Sequence, residues 1–210
     1  CGRLRRGGYE VVATYHQQRE QTLAWAAAES VHAVHLDLSR PDSVNQGLED
    51  IAALGCRPSA VVFAASPSPE IAPFGKISDA EMERQWQVNV RGPHRLLAEL
   101  IKRYFRKAGH GTAVAVLTAA MGGNGGQGAV GSMAGYVEAK FGLKGVLTAA
   151  KAEFDWLRIG FVAPDFVETP MLDVFDSRYL DMMRSRRTAG RFLAPDDVAR
   201  EIEDLIRDAP

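Results

Sequence analysis

Short runs of hydrophobic residues alternate along this chain with longer segments whose apolar positions repeat at helical spacing. The first run is YEVVATY, and four more follow it in order: VHAVHLDL, SAVVFAAS, GTAVAVLTAA and RIGFVAP. Their length and their content of β-branched and aromatic residues predict strands. The intervening segments are rich in alanine, leucine and charged residues, which predicts helices.

Residues that begin and end helices mark the limits of these segments. Pro41 stands in the first turn of the helix predicted after the second strand. Ser78 and Glu81 have capping-box spacing at the start of a long helix, and Pro93 predicts a kink within it. A further helix is predicted from about Gly135 to Phe154.

Strands that alternate with helices predict right-handed βαβ crossovers and a doubly wound, mostly parallel sheet. The fold class is therefore α/β, with a sheet between two layers of helices. The chain shows no repeat, low-complexity tract or linker, so residues 1–210 form one predicted domain. Because ligands of such folds bind beyond the carboxyl ends of the strands, the residues that follow each strand are the first candidates for a site.

The composition narrows the classes of function. The net charge of −1 gives no field that would attract nucleic acid or an anionic membrane. Cys1 and Cys56 form neither a disulfide framework nor a metal-ligand spacing, so we predict no bound metal and a reducing, cytoplasmic location. No apolar run approaches the roughly 20 residues that span a bilayer. We therefore expect neither nucleic acid nor membrane as a partner.

Tyr136 and Lys140 stand four residues apart in YVEAK and would share one face of a helix. A lysine ammonium near a phenol lowers the pKa of the tyrosine, which can then exchange a proton near neutral pH. Without further context, an amphipathic helix with an interfacial tyrosine is the commoner explanation of such a pair.

Three further residues give the pair its context. Thr118 ends the strand VAVLT, where its hydroxyl reaches the ligand-binding edge. The carbonyl of Asn89 loses its usual helical partner because Pro93, four residues later, has no N–H group. Asp37 ends the strand VHAVHLD, where a carboxylate can accept a hydrogen bond from an amino group such as that of adenine. The structural alternatives are a local hydrogen bond for Thr118, a simple helix kink at Asn89 and a helix cap for Asp37.

These residues, in this order, resemble the short-chain dehydrogenase/reductase family over nearly the whole chain. YVEAKFGLKG is similar to the active-site helix of the family, QVNVRGP to its asparagine-bearing helix, and HLDLSRPDSV to its adenine-contacting segment. VAPDFVETPM resembles the loop whose threonine meets the nicotinamide carboxamide. The resemblance implies a Rossmann-like fold. The residues that it implies for catalysis are Thr118, Tyr136, Lys140 and Asn89, and those that it implies for cofactor binding are His16, Arg19, Asp37, Leu38, Ala64, Ala65, Val167 and Thr169.

The chain departs from the family pattern in three places. Thr118 stands where the family has its catalytic serine, and the loop after it is longer than usual, so Ser132 is a rival source of the hydroxyl. FAAS, at residues 63–66, replaces the usual N-N-A-G, although its small residues still permit close approach of a cofactor. The first strand and the glycine-rich pyrophosphate loop lie outside these residues. Since the chain opens at Cys1 within a predicted helix, we expect residues upstream of it.

The resemblance implies a nicotinamide cofactor, and the end of the first strand favours NADPH over NAD. EVVATY is followed by HQQR, residues 16–19, with no carboxylate for the ribose hydroxyls of NAD, and Arg19 could meet a 2′-phosphate. The implied reaction is hydride transfer to the carbonyl of a ketone or a carrier-bound 3-oxoacyl thioester, with Tyr136 as the proton donor.

Several alternatives stay open. The same fold could belong to a catalytically silent nucleotide-binding or scaffold protein, or to an enzyme of NAD-dependent alcohol oxidation. The segment after Thr169, MLDVFDSRYLDMMRSRRTAGRF, predicts a mobile amphipathic lid whose arginines meet a substrate phosphate or simply face solvent. Helix positions that form either a homo-oligomer contact or part of the core are Leu96, Leu100, Tyr104, Leu143 and Leu147.

Overall fold

Strands and helices alternate along the protein, as the hydrophobic pattern predicts. The structure is a computed structural model that describes residues 1–123 and 128–207. Within these residues, five strands run parallel to their neighbours. Their bounds are β1 (Val12–Tyr15), β2 (His32–His35), β3 (Ala60–Phe63), β4 (Gly111–Val116) and β5 (Leu157–Val162).

Helices connect the strands and cover the sheets. They are α1 (Gly2–Arg6), α2 (Arg19–Glu29), α3 (Pro41–Ala53), α4 (Asp79–Trp86), α5 (Gly92–Leu100), α6 (Arg106–Ala108), α7 (Ala134–Glu153), α8 (Ser177–Ser185) and α9 (Pro195–Arg207). The helix predicted from about Gly135 to Phe154 is therefore confirmed, and Pro41 opens α3. Shorter 3₁₀ segments cover Phe74–Lys76, Ala119–Met121 and Pro170–Val174.

The strands form two sheets rather than one continuous sheet. β1 pairs with β2, with Val12 opposite His32, and β4 lies between β3 and β5. Among residues 1–123 and 128–207, no strand pairs with the second edge of β1 or of β3. Parallel strands connected by helices are the arrangement of a doubly wound α/β fold.

The long helix predicted after residue 78 is continuous but changes its winding. After α4 comes a π-turn, Gln87–Arg91, in which the N–H of Gly92 donates to the carbonyl of Gln87 five residues earlier. Pro93 contributes to this change because it cannot donate the usual helical hydrogen bond. A second π-turn, Ile101–Phe105, joins α5 to α6. The residue of interest here, Asn89, lies at the centre of the first π-turn.

The main core contains the helix positions whose role the sequence left open. Leu96, Leu100, Leu143 and Leu147 are buried in it together, and Tyr104 packs against it. They belong to the core of a single chain rather than to an exposed contact face. Each leucine buried in this way contributes about 1.5–3 kcal/mol relative to an exposed one.

The first residue of α5 approaches the chain after β2 so closely that only glycine fits. A Cβ atom on Gly92 would lie 2.4 Å from the carbonyl oxygen of Leu38. A backbone oxygen cannot move aside as the end of a flexible side chain can. Gly92 therefore fixes the separation between the asparagine-bearing helix and the segment that follows β2.

We expect Gly92→Ala to destabilise the protein by about 1–3 kcal/mol, the usual range for forced overpacking. Gly145→Ala is the matched control, because Gly145 lies in α7 with nothing within 4 Å of an added Cβ. Alanine there should stabilise the helix by roughly 0.5–1 kcal/mol. Urea unfolding of the three proteins measures both effects, and equal stability of the two variants would contradict the close approach.

Candidate active site

The predicted catalytic residues meet at the carboxyl end of β4. Thr118 lies just beyond that strand, while Tyr136 and Lys140 lie in the first two turns of α7. Both α7 side chains are buried, with Tyr136 8% and Lys140 2% exposed. Asn89 is fully buried in the π-turn that packs against α7. The four residues therefore share the edge at which such sheets bind ligands.

Lys140 is tied to the sheet by one hydrogen bond. Its Nζ donates to the carbonyl of Val116, the last residue of β4, at 2.9 Å. Burial lowers the pKa of the ammonium group from 10.5 to about 8. In the described part of the chain, no second protein acceptor takes a hydrogen bond from this Nζ, so donors remain for a ligand.

The Tyr136 phenol differs from the prediction in its acidity. Burial raises its pKa, and the Thr118 side chain, acting as a hydrogen-bond partner, lowers it in part. The Nζ of Lys140 lies over the ring, 5.5 Å from its centroid. The prediction that Lys140 brings the phenol pKa below its ordinary value is thus wrong, because burial dominates. A phenol in this setting is protonated at neutral pH.

Thr118, rather than Ser132, is the hydroxyl that the structure brings to Tyr136. The Thr118 side chain lies close enough to the phenol to lower its pKa, and its Oγ1 accepts the N–H of Ala120 at 3.2 Å. Ser132 is exposed, with φ of 65°, and its carbonyl accepts the N–H of Ala72. Part of the long loop between the two residues, 124–127, lies outside the described residues.

The side chain of Asn89 is held by its own helix. Its Nδ2 donates to the Gln85 carbonyl at 3.2 Å and to Gln85 Oε1 at 2.9 Å. Its Oδ1 is buried and has no partner within the described residues. Because an unpaired buried amide oxygen is unfavourable, this atom is positioned to accept a hydrogen bond from a ligand or a water molecule.

Two residues that the sequence analysis missed support Asn89. The buried Gln85 donates through Nε2 to Glu81 Oε1 at 2.8 Å, and that oxygen also accepts the N–H of Glu70 at 2.9 Å. Ser78 caps α4 as predicted, since its hydroxyl accepts the N–H of Glu81 at 3.2 Å. The spacing of residues 81, 85 and 89, one polar residue per helical turn on one face, was the available signal.

The predicted adenine and phosphate contacts lie together beyond β1 and β2. Asp37 is buried, and its Oδ1 accepts the Ser39 N–H at 2.9 Å and the Ser39 hydroxyl at 2.6 Å. Burial alone would raise the pKa of Asp37, but these hydrogen bonds, His16 and Arg40 lower it overall. The Nε2 of His16 lies 3.4 Å from Asp37 Oδ2. Arg19 is exposed at the first position of α2.

The remaining predicted contacts lie after β3 and β5. Ala64 and Ala65 are exposed directly beyond β3. Thr169 is exposed, and its hydroxyl makes a long hydrogen bond, 3.4 Å, to the carbonyl of Val167, which forms a bridge with Leu193. Leu38 is not exposed in the way that Ala64, Ala65 and Thr169 are. Its backbone is packed against Gly92 and its side chain against the core.

A nicotinamide nucleotide fits these residues. The remaining donors of Lys140, the small exposed side chains of Ala64 and Ala65, and the weakly bonded hydroxyl of Thr169 all lie at the carboxyl ends of the strands.

The segment predicted as a lid packs as an aromatic cluster with arginines on its rings. Phe166 and Phe192 stack with centroids 5.0 Å apart, and the guanidinium of Arg187 lies 5.0 Å from the first ring and 4.7 Å from the second. Arg187 also pairs with Asp165, and Arg184 with Glu168. These two arginines are engaged within the chain, so the suggestion that they meet a substrate phosphate is not supported by their contacts.

Comparison with known proteins identifies a family. Residues 1–209 match the family described as enoyl-(acyl carrier protein) reductase. No curated protein sequence matches the chain. Across residues 1–123 and 128–207, none of the helices combines the length and apolarity that a membrane crossing requires.

Solved structures share the fold at low identity. A 3-ketoacyl-(acyl-carrier-protein) reductase from Brucella melitensis, complexed with NADH, has a TM-score of 0.84 and 23% identity, over 97% of this chain and 83% of its own. A short-chain dehydrogenase/reductase from Serratia marcescens has a TM-score of 0.83 and 18% identity, over 97% of this chain and 82% of its own. A gluconate 5-dehydrogenase from Burkholderia cenocepacia, complexed with NADP and tartrate, has a TM-score of 0.79 and 18% identity, over 93% of this chain and 77% of its own.

The family match, the parallel α/β fold and the meeting of Thr118, Tyr136 and Lys140 agree with one another. The chain therefore belongs to the short-chain dehydrogenase/reductase family of oxidoreductases, which work with a nicotinamide cofactor.

Proposed function

We propose that this protein reduces a carbonyl group to an alcohol with NADPH, and that the substrate is a ketone or a 3-oxoacyl thioester. The observation that carries the proposal is the pair of buried side chains Tyr136 and Lys140, together with the half-buried Thr118, at the carboxyl end of β4. A silent nucleotide-binding protein would have no use for a lysine whose burial is so unfavourable.

The acidity of Tyr136 favours reduction over oxidation. Because burial raises the pKa of the phenol, Tyr136 is a proton donor at neutral pH. A nicotinamide cofactor, when bound, would supply the hydride that the carbonyl carbon receives. Tyr136 gives its proton to the carbonyl oxygen as the C=O π bond is lost, and the product is an alcohol.

The other side chains prepare this proton transfer. The Thr118 hydroxyl, which lies beside the phenol, hydrogen-bonds the carbonyl oxygen and orients it. Lys140 remains largely protonated below about pH 8, so its charge stabilises the phenolate left after proton transfer. Asn89, braced by Gln85, offers the unpaired Oδ1 to a water molecule that can return a proton to the site.

The preference for NADPH rests on the residues beyond β1. His16 and Arg19 are exposed basic side chains at the strand end that faces the adenosine part of the cofactor. Asp37 is the carboxylate that lies within 4 Å of His16 in the described part of the chain, and its Oδ1 accepts hydrogen bonds from Ser39. A 2′-phosphate therefore finds positive charge at this edge.

Replacement of Tyr136 by Phe tests the proposed chemistry. The variant should bind NADPH as the wild type does but lose about 10²–10⁴-fold in turnover, because the proton donor is gone. Tyr104→Phe, a tyrosine packed against the core, is the control and should keep full turnover. NADPH oxidation is followed with simple ketones, 3-oxoacyl thioesters and, given the family described above, an enoyl thioester.

Retained turnover in Tyr136→Phe would exclude this phenol as the donor. NADPH binding by the wild type without oxidation of NADPH on any of these substrates would favour a silent protein instead. Turnover of the enoyl thioester alone would replace the carbonyl substrate by a carbon–carbon double bond.

Arg19→Ala tests the choice of cofactor. We expect the variant to bind NADPH about tenfold more weakly, the lower end for loss of a hydrogen bond to a charged group, with NADH binding unchanged. Lys107→Ala is the control, because it removes one positive charge from an exposed lysine in α6, outside the segments predicted to bind the cofactor. Calorimetric titration with both cofactors measures the effect, and equal loss of NADPH and NADH affinity would overturn the assignment.

A further inference from the structure

Three side chains with different ligand atoms converge at the opposite end of the β1–β2 sheet from His16 and Asp37. Glu10 lies just before β1, His32 begins β2, and Cys56 follows α3. Their ligand atoms all lie within 4.8 Å of one another. Cys56 Sγ is 3.3 Å from Glu10 Oε1, and His32 Nε2 is 3.7 Å from the same oxygen.

These separations match those around a tetrahedral zinc ion. Bonds of about 2.3 Å to sulfur and about 2.0–2.2 Å to nitrogen and oxygen place neighbouring ligand atoms roughly 3.4–3.6 Å apart. The two distances to Glu10 Oε1 already lie close to that value. The sulfur and the imidazole nitrogen lie within 4.8 Å of each other, and His32 is exposed enough to adjust its position.

We propose that Glu10, His32 and Cys56 form a binding site for a divalent metal of the zinc class. A thiolate and an imidazole select zinc or a similar transition metal, whereas magnesium and calcium prefer oxygen ligands alone. On binding, the Cys56 thiol releases its proton to solvent and the sulfur bonds to the metal as a thiolate. No electron is transferred and no further reactant is needed.

The surroundings of Cys56 support this assignment. The thiol is buried, and its Sγ already lies 3.3 Å from Glu10 Oε1, so two of the three ligand atoms are in place beside each other. An open cavity that Tyr9, Glu10, Ser30 and His32 help to line gives room for a water molecule as a fourth ligand. Arg5 also lines this cavity, but its Nε donates to the carbonyl of Ser30.

The site would act as a clamp rather than as a catalyst. It joins the segment before β1, the start of β2 and the loop after α3, which are distant in sequence. It lies far from Tyr136, at the amino ends of the strands whose carboxyl ends carry His16 and Asp37. A metal here would fix the small β1–β2 sheet without touching the reacting groups.

Cobalt(II) is the direct probe, because a cobalt–thiolate bond gives a charge-transfer band in the near ultraviolet. The experiment uses the full chain with Cys1→Ser throughout, since Cys1 is an exposed second thiol. We expect one equivalent of cobalt to give the band and zinc to displace it. Cys56→Ser should abolish the band, and His32→Gln and Glu10→Gln should each weaken metal binding about tenfold or more.

His110→Gln, at an exposed histidine after α6, is the control and should bind cobalt as the parent does. Zinc should raise the melting temperature of the parent and of His110→Gln but not of Cys56→Ser. Circular dichroism verifies that each variant is folded. A band that persists in Cys56→Ser, or His32→Gln and Glu10→Gln variants that bind as tightly as the parent, overturns the site. Absence of a band in the folded parent leaves Cys56 as a thiol hydrogen-bonded to Glu10 and also refutes the proposal.

Discussion

The site depends on one hydrogen bond, from the buried ammonium of Lys140 to the carbonyl of Val116. This bond ties the first turns of α7 to the last residue of β4, which sets the position of Tyr136 relative to Thr118. Burying an ammonium group with a single protein acceptor is unfavourable. The shift of its pKa from 10.5 to about 8 corresponds to about 3 kcal/mol.

That penalty has a definite dependence on pH. Because the folded pKa of Lys140 is lowered, the unfolded chain holds a proton between about pH 8 and 10.5 that the folded chain has released. This group therefore raises stability as pH increases through that window, and its full destabilising effect is present below about pH 8. At neutral pH the buried Lys140 ammonium therefore lowers the stability of the fold while it places a positive charge beside Tyr136.

A second buried polar structure fixes the opposite wall of the site. Glu81, Gln85 and Asn89 form a hydrogen-bonded series along α4 and the π-turn. At the next turn, Gly92 brings the helix against Leu38, which lies beyond β2. The helix that carries Asn89 is thus held at both ends by contacts that tolerate little change.

Much of the fold followed from the sequence, because the periods of strands and helices differ and short apolar runs were separated by long helical segments. The meeting of Thr118, Tyr136 and Lys140 followed as well, since all three lie near strand ends or on one helix face. The acidity of Tyr136 did not, because it depends on burial by distant residues. The π-turn at Asn89, with its effect on winding, also needed coordinates.

Other features could not be predicted, for a related reason. The role of Gly92 depends on a contact with Leu38, which no local pattern encodes. Glu10, His32 and Cys56 are far apart in sequence and have no recognisable ligand spacing, so the sequence predicted no metal. The aromatic cluster with Arg187 was visible only as a mixed, amphipathic segment, and the pairing of Arg187 with Asp165 needed coordinates.

The most direct test of this account is a nuclear magnetic resonance titration of the Lys140 side chain, assigned by comparison with Lys140→Met. The account predicts that Nζ of Lys140 titrates at a pKa of about 8, well below the exposed lysines of the same protein. Titration near the ordinary value of 10.5 would show that the ammonium is solvated and not buried against Val116. The geometry from which the proposed chemistry is derived would then be wrong.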